Sequence, residues 1–156
     1  MKNIETLMKN GLLNAEVGPN AGYLTVTTKT TAAAVTYTAA EVFGGYIRRD
    51  PAGGNRTDVL PTAADFVAYL KNVFGQMGGA VFAYPLAFEF VVQNDADASE
   101  TITMSVGTGG SLGGNVSGSV TVTIAQNNSR RFSLQFTSTT PGSESYVLRN
   151  LGGYTT

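Results

Sequence analysis

Phe132-Ser133-Leu134-Gln135-Phe136-Thr137 alternates a large apolar side chain with a polar one at every step. A period of two fits a strand with one buried face and one wet face, and it does not fit a helix. The same period recurs on both sides of this stretch. Leu86, Phe88, Phe90 and Val92 alternate with Ala87, Glu89, Val91 and Gln93. Ile102, Met104 and Val106 alternate with Thr101, Thr103 and Ser105, and Val120, Val122 and Ile124 with Thr121 and Thr123. Turn residues separate the runs: Asn94-Asp95-Ala96-Asp97-Ala98, a Gly-rich stretch after Val106, and Gln126-Asn127-Asn128-Ser129. Residues 146–151 close the series. Upstream, residues 23–31, Val35-Thr36-Tyr37 and Tyr46-Ile47-Arg48-Arg49 are further strand candidates, the last ending at Asp50-Pro51-Ala52-Gly53-Gly54-Asn55. Strands at this spacing predict a mainly β fold, an antiparallel β-sandwich of jelly-roll type.

Helical signals are few. Pro61 precedes Thr62, which is placed to cap a helix, and Asp65 stands where a capping box carries Glu or Gln. Ala63, Phe66, Val67, Leu70, Val73 and Phe74 then form a stripe at helical spacing, and Gly75, Gly78 and Gly79 end it. Residues 39–43 are ambiguous and admit a helical turn before Gly44-Gly45. A short N-terminal helix is expected within residues 1–18, where Ile4, Leu7, Met8 and Leu12 share a face. A helix this short is marginal alone and must dock on its own domain or on a partner. Gly18-Pro19-Asn20 separates it from one β-sandwich domain over residues 19–156.

Composition narrows the chemistry. The chain of 156 residues holds no His, no Cys and no Trp. Ser-His-Asp and Cys-His catalysis, Cys/His zinc sites and disulfides are therefore excluded. Charged residues are 13% and the net charge is −1, against roughly 25% charged residues in ordinary soluble domains. That balance argues against nucleic acid as a partner, which calls for several cations on one face. No run approaches the length of roughly 18 apolar residues that a membrane span needs, so no membrane partner is expected. The opening Met1-Lys2-Asn3-Ile4-Glu5-Thr6 lacks the apolar core of a signal peptide, and synthesis in the cytoplasm without export is expected.

Individual motifs give little chemistry. The acidic turn Asp95-x-Asp97-x-Ser99-Glu100 resembles the start of a calcium loop, but the sixth place is not Gly and the twelfth is not Glu. A hairpin turn is the expected role, with no metal and no cofactor. Gly107-Thr108-Gly109-Gly110-Ser111-Leu112-Gly113-Gly114 has the glycines of a phosphate cradle but neither a following Lys nor a following helix, so a flexible inter-strand loop is expected. Arg48 and Arg49 point to opposite faces of a strand, as do Arg130 and Arg131, so neither pair forms a clamp. Arg48, Arg49 and Arg56 lie near Asp50 and Asp58, which favours local ion pairing over an anion site. Glu41, Asp50, Asp58, Asp65 and Glu89 show no spacing that brings two carboxylates together for acid–base catalysis.

One wider pattern remains. Residues 38–51 read Thr-Ala-Ala-Glu-Val-Phe-Gly-Gly-Tyr-Ile-Arg-Arg-Asp-Pro, and residues 56–63 read Arg-Thr-Asp-Val-Leu-Pro-Thr-Ala. The Gly-Gly-x-Ile-x-Arg-Asp-Pro and Arg-Thr-Asp-x-Leu-Pro-Thr-Ala elements resemble those of small capsid-associated virion proteins of tailed phages and related large viruses. The likeness extends through Val92-Gln93-Asn94, Glu100-Thr101-Ile102-Thr103 and Gly107-Thr108-Gly109 to Arg131-Phe132. It implies a non-enzymatic structural protein located in the virion. Such a protein decorates or cements the capsid exterior, or links fibres to it, and capsid or other virion proteins are its partners. It carries over no catalytic residue. A receptor- or glycan-binding module of a fibre or adhesin is the alternative. Sparse surface charge further suggests a homo-oligomer, most naturally a trimer. The candidate partner-binding residues are Ile4, Leu7, Met8 and Leu12 on the N-terminal stripe, with Arg48, Arg49 and Arg56 around the Asp50 loop.

Overall fold

The alternating residues Phe132 to Thr137 form the middle of β8 (Asn128–Ser138), which pairs antiparallel with β9 (Ser145–Thr155). The structure is a computed structural model that describes residues 25–74, 87–113 and 122–155. Phe132, Leu134 and Phe136 of β8 are buried, as are Tyr146 and Leu148 of β9, while Arg131 and Thr137 are exposed. Leu134 stands opposite Leu148, and Phe136 opposite Tyr146. The register shifts between Arg131 and Phe132, whose partners are Gly152 and Asn150. Leu151 is the extra residue of this bulge, which takes it out of the alternation and leaves it 42% exposed. Gly152 absorbs the distortion at φ 117°.

β4 (Ala87–Asn94) continues the sheet on the other side of β8, with Phe90 opposite Phe132 and their rings stacked at 5.4 Å. Beyond β4 the pairing turns parallel. β2 (Gly45–Asp50) runs parallel to β4, and β1 (Thr25–Thr30) runs parallel to β2. Between β1 and β2 lies the short helix α1 (Ala39–Phe43). Thr38 and Glu41 close it with a reciprocal capping box, and Glu41 also meets the Lys29 ammonium at 2.6 Å. Burial works against ionisation of the Glu41 carboxyl, yet Lys29 and the Thr38 N–H hold it below its ordinary range. At the far edge, β6 (Gly110–Leu112) pairs parallel with β9, so the six-stranded order is β1-β2-β4-β8-β9-β6. A second sheet has the order β3-β5-β7, with β3 (Arg56–Val59) parallel to β5 (Ile102–Ser105) and β7 (Thr123–Ile124) antiparallel to β5.

The fold is thus mainly β, but its sheets are mixed. Antiparallel pairing holds for β4/β8, β8/β9 and β5/β7, whereas β1/β2, β2/β4, β3/β5 and β6/β9 are parallel. The expected antiparallel jelly roll is corrected accordingly. Alternation reports which side of a strand is buried and is silent about the direction of its neighbours. Parallel neighbours require long crossovers: residues 31–44 with α1 connect β1 to β2, residues 51–86 connect β2 to β4, residues 60–101 connect β3 to β5, and residues 113–144, which include β7 and β8, connect β6 to β9.

α2 (Ala63–Phe74) is the internal helix expected from the stripe after Thr62. The capping box forms with Asp in the acidic place: the Asp65 N–H donates to Thr62 Oγ1 at 3.1 Å and the Thr62 N–H donates to Asp65 Oδ2 at 3.3 Å, with the Thr62 hydroxyl adding a bond to Asp65 Oδ2 at 2.7 Å. Phe66, Val67 and Leu70 face one core, shared with Ile47, Phe90, Val92, Phe132 and Leu134 of the large sheet and Ile102, Met104 and Ile124 of the small one. Phe43 stacks on Tyr69 and meets Phe66 and Phe88 edge-on, which fastens α1 to α2 and β4. Among the described residues no helix is long and apolar enough to cross a membrane. Val35-Thr36-Tyr37 contributes a single bridge, Thr36 to Val59, in place of a strand. The expected N-terminal helix and its separation from the sheet domain lie outside the described residues.

The Gly-rich stretch is held by close packing. A Cβ on Gly107 would stand 2.5 Å from the Leu60 carbonyl oxygen, and one on Gly110 would stand 2.5 Å from the Tyr146 ring. The Thr108 carbonyl accepts the Ala63 N–H at 2.9 Å, so this stretch covers the start of α2 and leaves no room for a phosphate cradle there. Beneath it the buried Tyr146 hydroxyl donates to the Pro61 carbonyl at 3.1 Å and accepts the Gly107 N–H at 3.0 Å. Burial pushes the Tyr146 phenol up to about 12, with the Gly107 bond opposing the shift. The folded state therefore keeps this proton after the unfolded chain, at about 10, has lost it. Its stabilising contribution is complete below pH 10 and is lost as pH rises from about 10 through about 12. Tyr146→Phe should cost roughly 1–3 kcal/mol at neutral pH through the unpaired Gly107 N–H and Pro61 carbonyl. It should also make the fall in stability across that alkaline window shallower. Urea unfolding of both proteins at pH 8, 10 and 11.5 measures both effects.

Candidate functional site

Strand alternation at the end of β2 sends Arg48 outward and Arg49 inward. Arg48 is exposed and pairs with Asp95 at 2.7 Å across the strand ends of β2 and β4. Arg49 is fully buried, and so is its partner Asp58 on β3, which Arg49 Nε meets at 2.8 Å. A guanidinium has five N–H donors, and here all of them are used. Nε and Nη2 reach the Asp58 carboxylate, Nη2 also reaches the Ala33 carbonyl, and Nη1 reaches the carbonyls of Thr31 and Asp50. The Asp58 carboxylate accepts in addition the Val35 N–H at 2.9 Å and the Tyr37 hydroxyl at 2.9 Å. Burial first, then the Asp58 charge, pushes the Tyr37 phenol far above its ordinary value, so it remains a neutral donor. The cluster ties the large sheet to the small one through residues 31–37.

Two loops meet beside this pair. After β2, Ala52 and Gly53 take positive φ, and the Ala52 N–H donates to Asp50 Oδ1 at 2.9 Å. After β4, the buried Asn94 shapes residues 95–100: its amide donates to the Glu100 and Ile124 carbonyls, and its Oδ1 accepts the Ala96 N–H. Cross-links join the loops. The Thr101 N–H donates to Asn55 Oδ1 at 2.8 Å, the Arg56 N–H to the Thr101 carbonyl at 2.9 Å, and the Asp95 N–H to the Arg49 carbonyl at 2.8 Å. Together they bring carboxylate oxygens of Asp50, Asp97 and Glu100 within 4.8 Å of one another. Glu100 is 6% exposed, and its Oε2 has no hydrogen-bond partner.

The sequence candidates divide accordingly. Arg49 cannot face a partner, because its charge is consumed within the core. Arg56 is partly exposed and donates to the carbonyls of Ala32 and Asn55. Only Arg48 presents its side chain largely to solvent, while also holding Asp95. Arg49 pairs locally as expected, with Asp58, whereas Arg48 pairs with Asp95 from the loop after β4 and Arg56 binds carbonyls. Ile4, Leu7, Met8 and Leu12 lie outside the described residues. The other carboxylates are engaged separately: Glu41 with Lys29, Asp65 in the α2 cap and Glu89 with Arg131. Asp97 and Glu100 belong to the acidic turn that the sequence offers, and Asp50 joins them from the other loop. The only sequence signal of this grouping is that two turn-forming stretches both carry acids, and their meeting depends on β2 and β4 being neighbours.

Compared with protein-family models, curated proteins and solved structures, the chain finds no match.

Removing either partner of the buried pair strands a charge. Arg49→Ala or Asp58→Ala should each cost about 3–5 kcal/mol, whereas Arg48→Ala should cost about 0–1 kcal/mol. Replacing both Arg49 and Asp58 by Met and Leu should cost less than the two single losses combined. Denaturant midpoints of the four variants test this ordering, and additive losses would refute the pairing energy.

Proposed function

We propose that this chain is a non-enzymatic virion structural protein that decorates or cements the capsid exterior, or links fibres to it, in many copies. One observation carries the reading. The two stretches that resemble capsid-associated virion proteins, residues 44–51 and 56–63, meet in space, and the Arg of the first pairs with the Asp of the second as Arg49–Asp58. The resemblance therefore falls on residues that hold the architecture together rather than on scattered surface positions. Ile47, Leu60 and Ala63 of the same stretches are core residues.

The surface supports assembly. The outer strands of the six-stranded sheet each carry an exposed apolar side chain, Val26 at 54% on β1 and Leu112 at 46% on β6. An outer strand is a ready template for pairing with another chain, and sparse surface charge lowers the cost of burying it. A closed cyclic homo-oligomer, a trimer at a three-fold or quasi-three-fold site, suits such a surface. Capsid or other virion proteins are the remaining partners, and the virion is the location.

Cryo-electron microscopy of particles assembled from the genome that encodes this chain tests the role. Density repeating with the capsid lattice is expected. Density confined to fibre tips would favour a receptor- or glycan-binding module instead, and absence from purified particles would refute the proposal. Light scattering of the purified chain should give a mass above that of the 16.3 kDa monomer. A strict monomer both in solution and on the particle would remove the oligomer from the reading.

A further inference from the structure

We propose that Asp50, Asp97 and Glu100 form a calcium site between the β2–β3 and β4–β5 loops. The first ground is charge. Three carboxylates gather their oxygens within 4.8 Å, and none of them takes part in the ion pairs found among the described residues. The guanidinium groups nearby do not pair with these carboxylates: Arg49 binds the Asp58 carboxylate and the Thr31, Ala33 and Asp50 carbonyls, Arg48 binds Asp95, and Arg56 binds the Ala32 and Asn55 carbonyls. Like charges this close repel one another.

The second ground is independent of the first. Glu100 is more than nine-tenths buried, belongs to this cluster, and leaves Oε2 without a hydrogen-bond partner. A buried carboxylate oxygen with no donor is costly unless a cation meets it. The surrounding hydrogen bonds position the Glu100 backbone without touching that oxygen: Asn94 Nδ2 binds the Glu100 carbonyl at 2.9 Å, and the Glu100 N–H donates to the Ala98 carbonyl at 2.6 Å.

Size and chemistry select the ion. All-oxygen ligands suit a hard cation, and calcium accepts roughly six to eight oxygens in a flexible shell, which suits ligands drawn from two separate loops. Magnesium, at about 2.0–2.1 Å, demands a tighter and more regular shell. Asp97 is exposed, so water reaches the site to complete coordination. The ligand set is not the linear loop that Asp95 and Asp97 suggest in sequence. Asp95 is turned to Arg48, and its place is taken by Asp50 from the other loop. The inference does not depend on the virion role.

The test uses the full chain, stripped with EDTA and titrated with CaCl2 at constant ionic strength. Calorimetry should show saturable one-site binding. The thermal midpoint should rise by roughly 5–10 °C at about a hundredfold excess over the dissociation constant. Asp97→Asn, at an exposed position, should fold with an unchanged midpoint in EDTA and bind calcium at least about tenfold more weakly. Glu100→Gln should abolish the calcium response while melting in EDTA no lower than the parent chain, since a neutral amide replaces an unpaired buried charge. If Glu100→Gln fails to fold, the Asp97→Asn titration decides. Absence of saturable binding up to about 10 mM calcium, or an undiminished response in Asp97→Asn, would overturn the site.

Discussion

Arg49 and Asp58 are the constraint on which the rest of this molecule leans. They stand at the ends of strands in different sheets, and the pair is sealed from solvent. Desolvating two charges is expensive, and their attraction offsets that cost only if every remaining donor and acceptor finds a partner. Here the guanidinium uses all its N–H groups, and the carboxylate collects the Val35 N–H and the Tyr37 hydroxyl besides. Apolar packing tolerates sliding, whereas this network accepts one relative placement of β2, β3 and residues 31–37. It specifies geometry more than it adds net stability.

That placement has a consequence for the neighbouring loops. With β2 parallel to β4, the loops that leave both strands emerge at the same end of the sheet. The acids of each loop are then brought together: Asn94 shapes residues 95–100 by binding the Glu100 carbonyl, and Asn55 links the other loop to them through the Thr101 N–H. A mixed sheet thus creates a polar pole that a hairpin arrangement, with its loops divided between opposite ends, would have dispersed. At the other end of the structure's internal polar chemistry stands Tyr146, whose hydroxyl links β9 to Pro61 and Gly107. Gly110 is explained by its approach to the Tyr146 ring and Gly107 by its approach to the Leu60 and Pro61 carbonyls, so packing accounts for both.

Much of this was legible in the sequence, because it depends on near neighbours along the chain. The buried faces of β4, β5 and β8 follow from alternation, and α2 with its Thr62–Asp65 cap follows from spacing and capping chemistry. Opposite destinations for Arg48 and Arg49 follow from strand geometry alone. What stayed hidden was set by residues far apart in sequence: strand direction, the partner of each arginine, and the meeting of Asp50 with Asp97 and Glu100. A carboxylate at the sixth place of a supposed calcium loop counts against that loop when read linearly, yet in space Glu100 becomes the most buried member of the acidic group. Local periodicity encodes which face of an element avoids water, since burial acts on each residue in turn. Pairing direction and the gathering of charges are decided only when the whole core closes, because they depend on which crossover lets all the buried faces meet at once.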